Sequence, residues 1–187
     1  MSRLVLEGSW VLLEGADESN QEDIDQLDVA RAALAEMGGW FSRPPPATPW
    51  GTMLIRTREG GVPIGVIDAM PLPGYPAVFN VSMFVDPEAR GTGWAIDAYG
   101  VYISHIFDQG VRLVHHEVLE MNRSVRRIMR GALLEPTARL RDHGYAAGRL
   151  WDVLVYSYDR GHWDTVLAKF SGRRLGHPSP PPSPPMG

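Results

Sequence analysis

The sequence predicts a single α+β domain followed by a disordered tail, and three observations support this interpretation. Stretches rich in β-branched and aromatic residues alternate along the chain with stretches of helical periodicity. A length of 187 residues, with 44% hydrophobic and 21% charged residues, suits one domain that buries its own core. A proline-rich tail that cannot bury a core follows these stretches. The sequence is therefore interpreted as a domain over residues 1–170 and a disordered tail over 171–187.

Composition excludes several classes of function. The absence of cysteine excludes disulfides and thiolate metal sites, and the sequence predicts no metal centre. A net charge of −4 disfavours nucleic acid as a partner. No apolar run reaches the roughly 18 residues that a membrane span needs. Because Met1–Glu14 also lacks the basic start of a secretion signal, we expect a cytoplasmic protein without a membrane partner.

The first half of the chain predicts strands around one helix and a loop. Alternating apolar residues on either side of Gly8–Ser9 predict an opening strand pair. Apolar residues at helical spacing from Ile24 to Met37 predict a helix that Gly38–Gly39 ends. The proline-rich stretch Arg43–Pro49 predicts a loop. Two β-type runs flank Glu59-Gly60-Gly61 and predict a hairpin, before a break at Pro71–Pro76.

The second half predicts a further alternation of strands and helices. We expect strands over Val78–Asp86, Val111–Leu119, Thr137–His143 and Leu150–Tyr158. Helices are expected from Trp94 to Asp108, from Asn122 to about Leu133, and from Trp163 to Phe170.

The most informative segment is a strand that runs into a glycine-rich turn and then a helix, Phe84 to Ala95. The first N–H groups of a helix lack internal partners and carry partial positive charge, so such an end binds phosphate. Gly91 and Gly93 allow the backbone to approach an anion closely, and Arg90 adds charge at the rim. The segment lacks the Gly-Lys-Ser/Thr of a Walker loop and the third glycine of a dinucleotide fingerprint.

Arg90-Gly91-Thr92-Gly93-Trp94-Ala95 resembles the (Gln/Arg)-x-x-Gly-x-(Gly/Ala) acyl-CoA loop of the GNAT superfamily of N-acyltransferases. The stretch Glu117 to Ser124 resembles the strand of that family that ends in Asn-x-Ser. Further matches, around Leu140–His143 and Asp152–Ser157, are similar to the branch that contains the ribosomal-protein alanine N-acetyltransferases. The resemblance extends over residues 3 to 170 in the expected order.

The resemblance implies a mixed, mainly antiparallel sheet, flanked by helices and splayed between its fourth and fifth strands, where the acyl-pantetheine arm enters. It implies that acetyl-CoA, or another acyl-CoA, pairs with the backbone at Met83, Phe84 and Val85. The pyrophosphate is expected on the amides of Arg90, Gly91, Thr92, Gly93, Trp94 and Ala95, with Asn122 near the pantetheine arm. Asn122 also suits a helix N-cap.

The catalytic residues are less strongly indicated by the sequence. Attack by an amine needs a proton acceptor, and Glu117 occupies the position of the general base in some relatives. Strand alternation places His115 with Glu117 on one face and His116 on the other, so only one face lines the acceptor cleft. The family's general acid, a tyrosine, is replaced by Met129, and Leu133–Leu134 replaces the usual Gly-Phe. Tyr156 is therefore the expected acid, with Tyr145, Tyr158 and water as alternatives.

The sequence thus favours an acyl-CoA-dependent N-acyltransferase that acetylates a primary amine of a small molecule or a protein N-terminus. The alternative is a non-catalytic acyl-CoA-binding or regulatory domain, which the substitution at Met129 would suit. A nucleotide-binding module is a third interpretation. Four arginines share one helical face, Arg123, Arg126, Arg127 and Arg130, and favour a solvated surface or a contact with a phosphate of CoA. Relatives often form homodimers, so the resemblance allows a homodimer here.

Overall fold

The computed structural model describes residues 3–35 and 51–171. One mixed sheet has the strand order β1-β2-β3-β4-β5-β6-β8-β7, and every pair is antiparallel except β5 with β6. The strands are Val5–Glu7, Val11–Gly15, Thr52–Thr57, Pro63–Leu72, Tyr75–Val85, Leu113–Leu119, Ala138–Ala146 and Arg149–Asp159, β1 to β8 in chain order. The helices are Gln21–Ala35, Trp94–Asp108, Arg123–Gly131 and Arg160–Ser171, α1 to α4. The predicted α+β class with a mainly antiparallel sheet is confirmed.

Helices cover both faces of the sheet. On one face, which we call the α1 face, Ile24 and Leu27 pack against Leu54, Val66 and Phe84. The opposite face, which we call the α2 face, carries the larger core. That core includes α2 residues that are fully buried, Tyr102, Ile103 and Ile106.

The sheet opens between two neighbouring strands. β5 and β6 pair in parallel only at Val78↔Leu113, Phe79↔Val114 and Asn80↔His115. Beyond Asn80, β5 stays paired with β4 as far as Val85, and beyond His115, β6 stays paired with β8 as far as Leu119. The two strands therefore diverge while each keeps its outer partner. The predicted splay is found here. It lies between the fifth and sixth strands rather than the fourth and fifth, because β1 adds one strand before it.

Two predicted connections are shorter in the structure. The break predicted at Pro71–Pro76 is a turn at 73–74, and the prolines at 71 and 76 lie within strands. Pro71 is tolerated because β3 pairing ends at Asp68, which leaves this end of β4 as an edge. Pro76 lies in β5 where the register with β4 shifts between Pro71 and Leu72. The connection predicted between β7 and β8 reduces to a turn at 147–148, where both residues have positive φ.

The predicted hairpin at 59–61 is present between β3 and β4. The predicted helix end at Gly38–Gly39, the loop Arg43–Pro49 and the tail beyond 171 lie outside the described residues. Within the described ranges, no helix is both long and apolar enough to cross a membrane.

Candidate active site

A cavity of about 1010 Å³ passes through the opening between β5 and β6. On the α2 face, its lining includes Val81 and Met83 of β5 and His116 of β6. On the α1 face, it includes Ser82 of β5 and Glu117 of β6. Because side chains alternate between faces along a strand, residues from both faces can line one cavity only where the sheet is open. The opening therefore connects the two faces of the molecule.

The backbone of β5 presents hydrogen-bonding groups to this opening. The carbonyl of Ala77 accepts from the Arg112 N–H at 2.8 Å, and the carbonyl of Val85 accepts from the Arg90 Nε at 3.1 Å. Odd-numbered residues of β5 therefore direct their backbone groups towards β6, and Met83 lies between these two. Met83 is thus placed to pair with an extended ligand.

Phe84 and Val85, which were also predicted to pair with the acyl-CoA, are placed differently. Phe84 pairs with Val66 of β4, and its side chain packs on the α1 face. The Val85 carbonyl already accepts from Arg90, which also fixes that arginine beside the glycine-rich turn. The structure therefore brings Met83, but not Phe84, to the opening.

The first turn of α2 begins at Gly93, which has φ 93° and no side-chain cap. Gly91 has φ 83°, and an added Cβ at either glycine would meet nothing within 4 Å. Both residues therefore combine a left-handed backbone with open space in front of it.

Several backbone N–H groups of this turn have no protein acceptor among the described residues. Within the described ranges, no protein acceptor binds the N–H groups of Gly91, Thr92, Gly93 or Ala95. The Trp94 N–H makes one long contact, 3.3 Å, with the Thr92 hydroxyl. The helix dipole adds partial positive charge at the same point. The turn has the features of an anion-binding nest, and its role towards a pyrophosphate stays a prediction.

Asn122 caps α3 and also lines the cavity. Its Oδ1 accepts from the Val125 N–H at 3.2 Å. Of the four arginines on this helix, Arg126 donates to the Glu120 carbonyl at 2.9 Å, and the other three side chains are exposed. The two roles expected for Asn122 are therefore compatible in the structure.

The two faces of β6 carry different chemistry. Glu117 is an exposed residue on the α1 face that lines the cavity. Its pKa is raised because neighbouring atoms partly desolvate the carboxylate, and the charge of His143 acts in the opposite direction. A raised pKa brings a carboxylate nearer to the range of a general base at neutral pH. His115 shares this face, and its Nδ1 lies 2.6 Å from the Ser157 hydroxyl.

His116 lies on the α2 face and is only 6% exposed. The Tyr99 hydroxyl contacts its Nε2, and the Tyr158 hydroxyl lies 3.2 Å from the same atom. Burial lowers the pKa of His116 to about 4, so the imidazole is neutral at pH 7. The structure therefore resolves which of the two histidines is a core residue.

The expected general acid does not reach the cavity. Tyr156 is 2% exposed and is absent from the described lining, and burial raises the pKa of its phenol. Met129 does line the cavity, so a thioether stands where the family resemblance places a phenol.

Leu133 has φ 60° and is the left-handed residue of a Schellman motif at the end of α3. Its N–H donates to the Arg130 carbonyl, and the N–H of Leu134 donates to the Met129 carbonyl.

Sequence reasoning missed three residues of this region. Asp97 in the first turn of α2 accepts from the N–H groups of Ser9 and Trp10 at 3.1 and 2.7 Å, which ties the β1–β2 turn to the helix. Asp68 and Asn80 line the cavity on the α1 face. A polar residue inside an otherwise apolar strand was the available signal for both.

Comparison with solved structures identifies the fold. A GCN5-related N-acetyltransferase from Brucella melitensis superposes with a TM-score of 0.69 at 20% identity, over 92% of this chain and 86% of that one. A ribosomal-protein-S5-alanine acetyltransferase from Vibrio fischeri gives a TM-score of 0.68 at 15% identity, over 86% and 98%. A ribosomal L7/L12 alpha-N-protein acetyltransferase gives 0.65 at 14% identity, over 85% and 96%. No family model and no curated protein matches the sequence.

Proposed function

Because the chain has the fold of the GNAT acetyltransferases, we propose that it is an acyl-CoA-dependent N-acyltransferase that acetylates a primary amine. The observation that carries this proposal is the combination of two features on one cavity. An uncapped, glycine-rich helix start follows β5, beside an opening that connects the two faces of the sheet. The first feature suits a diphosphate, and the second suits an extended arm that delivers an acyl group to a second substrate.

The residues that would hold the coenzyme follow from the free hydrogen-bonding groups. The N–H groups of Gly91, Thr92, Gly93 and Ala95 would receive the pyrophosphate, with Arg90 at the rim. The backbone of Met83 would pair with the pantetheine arm, much as an added strand pairs with a sheet edge. Acyl-CoA supplies the acyl group as a thioester, from which the amine nitrogen displaces the thiolate as the C–N bond forms and the C–S bond breaks.

The protein contributes position and a proton acceptor. Glu117 lies on the α1 face of the opening, and its raised pKa suits acceptance of the proton that the attacking ammonium must lose. Tyr156 is buried away from the lining, so we propose that water protonates the departing thiolate, whose conjugate acid has a pKa of about 8.5. A backbone N–H of β5 at the opening would polarise the thioester carbonyl.

A non-catalytic acyl-CoA-binding domain is the second candidate, and the buried thioether of Met129 favours it. The two functions differ in turnover. Thiol release from acetyl-CoA is measured with a panel of primary amines and N-terminal peptides, together with calorimetric binding of CoA. Turnover with any acceptor above the rate without amine supports the enzyme, whereas CoA binding without turnover across the panel supports the second candidate. Absence of CoA binding would contradict both.

A further inference from the structure

The helix α3 has two sides of different character. One side lines the cavity through residues three or four positions apart, namely Asn122, Val125 and Met129. The other side carries exposed guanidinium groups at the same spacing, which we call the arginine stripe, namely Arg123, Arg127 and Arg130. None of the three arginines belongs to the described lining of the cavity. The arginine stripe is therefore a surface separate from the candidate active site.

The charge of the arginine stripe is uncompensated. Within residues 3–35 and 51–171, no carboxylate pairs with any of its three guanidinium groups. Arg126, the fourth arginine of the helix, donates to the Glu120 carbonyl at 2.9 Å. Arginines elsewhere do form ion pairs with carboxylates, as in the pairs made by Arg3, Arg56, Arg58, Arg139 and Arg160. Like charges one turn apart on a helix repel one another, so carboxylates from another molecule would relieve this repulsion.

Leu133 places an apolar side chain in solvent one turn beyond Arg130. It adopts the left-handed position of the Schellman motif with φ 60°, and it is 57% exposed. Glycine adopts this backbone without strain, whereas leucine does not. Strain at an exposed residue that is not repaid by burial indicates a contact with another molecule. The arginine stripe therefore ends at an apolar anchor.

We propose that the arginine stripe and Leu133 form a docking surface for an acidic polypeptide segment, one that carries several carboxylates beside an apolar side chain. This inference goes beyond the proposed function and does not depend on it. Each carboxylate accepts paired hydrogen bonds from a guanidinium, and the apolar side chain covers Leu133. The stripe extends about 10 Å along the helix, which suits a short segment of a partner protein.

The surroundings of the stripe favour a polypeptide over a nucleic acid. The chain has a net charge of −4, and two exposed or half-exposed carboxylates flank the helix, Glu120 before it and Glu135 after it. A nucleic acid carries closely spaced phosphates and contacts basic surfaces much wider than one helix. It would meet the flanking carboxylates and would leave Leu133 uncovered. A short acidic segment meets only the stripe and its apolar anchor.

Fluorescence anisotropy with defined probes tests this docking surface. The probe is a labelled peptide of Glu-Glu-Leu repeats, whose blocked N-terminus prevents it from acting as an acceptor. The comparison probes are the same peptide with Gln in place of Glu and an oligouridylate of equal charge. The wild type should bind the acidic peptide at least about tenfold more tightly than either comparison probe. Equal affinities, or tighter binding of the oligouridylate, would overturn the proposal.

Three variants locate the binding. Arg127→Glu reverses the central charge of the stripe and should weaken binding of the acidic peptide about tenfold or more. Leu133→Gly removes the apolar contact and relieves the backbone, so it should weaken binding in a protein that stays folded. Arg112→Glu is the matched control, because it makes the same change of charge at an exposed site just before β6, whereas α3 follows the other end of that strand. Equal affinities of Arg127→Glu and Arg112→Glu would contradict the proposal.

Two further measurements distinguish other occupants of the stripe. Calorimetric affinity for CoA should be the same in the wild type and in Arg127→Glu. A decrease in the variant would assign the stripe to a phosphate of the coenzyme and overturn the proposal. Sedimentation of the wild type alone should show no association that depends on Arg127. Self-association that Arg127→Glu abolishes would make a second copy of the chain the occupant and would also overturn the proposal.

Discussion

The Nε2 of His116 contacts the hydroxyl of Tyr99, one residue beyond the last rung that joins β6 to β5. That rung is Asn80↔His115, so the imidazole is held at the point where the two backbones part. Tyr99 belongs to α2, and Tyr158 of β8 lies 3.2 Å from the same nitrogen. The point at which the sheet opens is therefore tied to the helix that begins at the glycine-rich turn.

The buried imidazole makes stability depend on pH. The pKa of His116 is about 4 in the folded protein and 6.5 in its ordinary state. Between these values the unfolded chain binds a proton that the folded chain does not, so stability falls as pH decreases from 6.5 to 4. By pH 5 the loss reaches about 2 kcal/mol. Urea unfolding at pH 7.5 and pH 5 should show a larger decrease for the wild type than for His116→Gln. Equal decreases would contradict this assignment.

The glycine-rich turn predicts the effect of a charge on coenzyme binding. Gly93→Glu places a side chain and a negative charge before the free N–H groups, so CoA affinity should fall below detection by calorimetry. Gly61→Glu is the matched control, because Gly61 also has positive φ and open space but lies in the β3–β4 hairpin. The control should lose similar stability and keep CoA affinity. Unchanged affinity in folded Gly93→Glu would remove the turn from the binding site.

The raised pKa of Glu117 predicts linked effects of pH on the catalytic rate and on the stability of the protein. We propose Glu117 as the base, and a base acts only when ionised, so the rate should fall as pH decreases through its raised pKa. Glu117→Gln should slow turnover, remove that limb of the kcat/KM profile and leave the KM for acetyl-CoA unchanged.

The same raised pKa means that ionised Glu117 is less stable in the folded protein than in the unfolded chain. Its contribution to stability is present at low pH and is lost as pH rises through the folded pKa. Glu117→Gln should therefore raise the Tm at pH 7.5. A slower enzyme with a lower Tm would indicate a structural role instead.

The end of α3 predicts a stabilising substitution. Leu133 adopts φ 60° although its side chain is 57% exposed, so it carries left-handed strain with little burial to offset it. Leu133→Gly should raise the free energy of unfolding by about 1 kcal/mol. Leu133→Ala removes the same exposed side chain but keeps the strain, so it should give no such gain. Equal stabilities of the two variants in urea would show that the backbone is not strained.

Most of the fold could be predicted from the sequence because its signals are local. The turn between Asp86 and Trp94 and the helix after it follow from proline, glycine and apolar spacing within a few residues. The hairpin at 59–61 has the same kind of local signal. Such patterns do not depend on how the strands are ordered in the sheet.

The rest depends on contacts between distant parts of the chain. Strand alternation predicted that the side chains of Glu117 and His116 lie on opposite faces of β6. The packing of Tyr99 against His116 then shows which of them lies on the α2 face. The α1 side of the cavity depends on the pairing of Asp68 with Ser82 and of Asn80 with His115. Tyr156 lies outside the described lining, within the core cluster of its face of β8, and its position in a strand could not reveal this.

We propose above all that the free N–H groups at the start of α2 bind the diphosphate of CoA. Titration of the labelled protein with CoA, followed by heteronuclear NMR, tests it directly. The amide resonances of Gly91, Thr92, Gly93 and Ala95 should shift saturably, whereas those of Gly60 and Gly61 should not move. Saturable shifts confined to other residues, with these four amides unmoved, would contradict the claim.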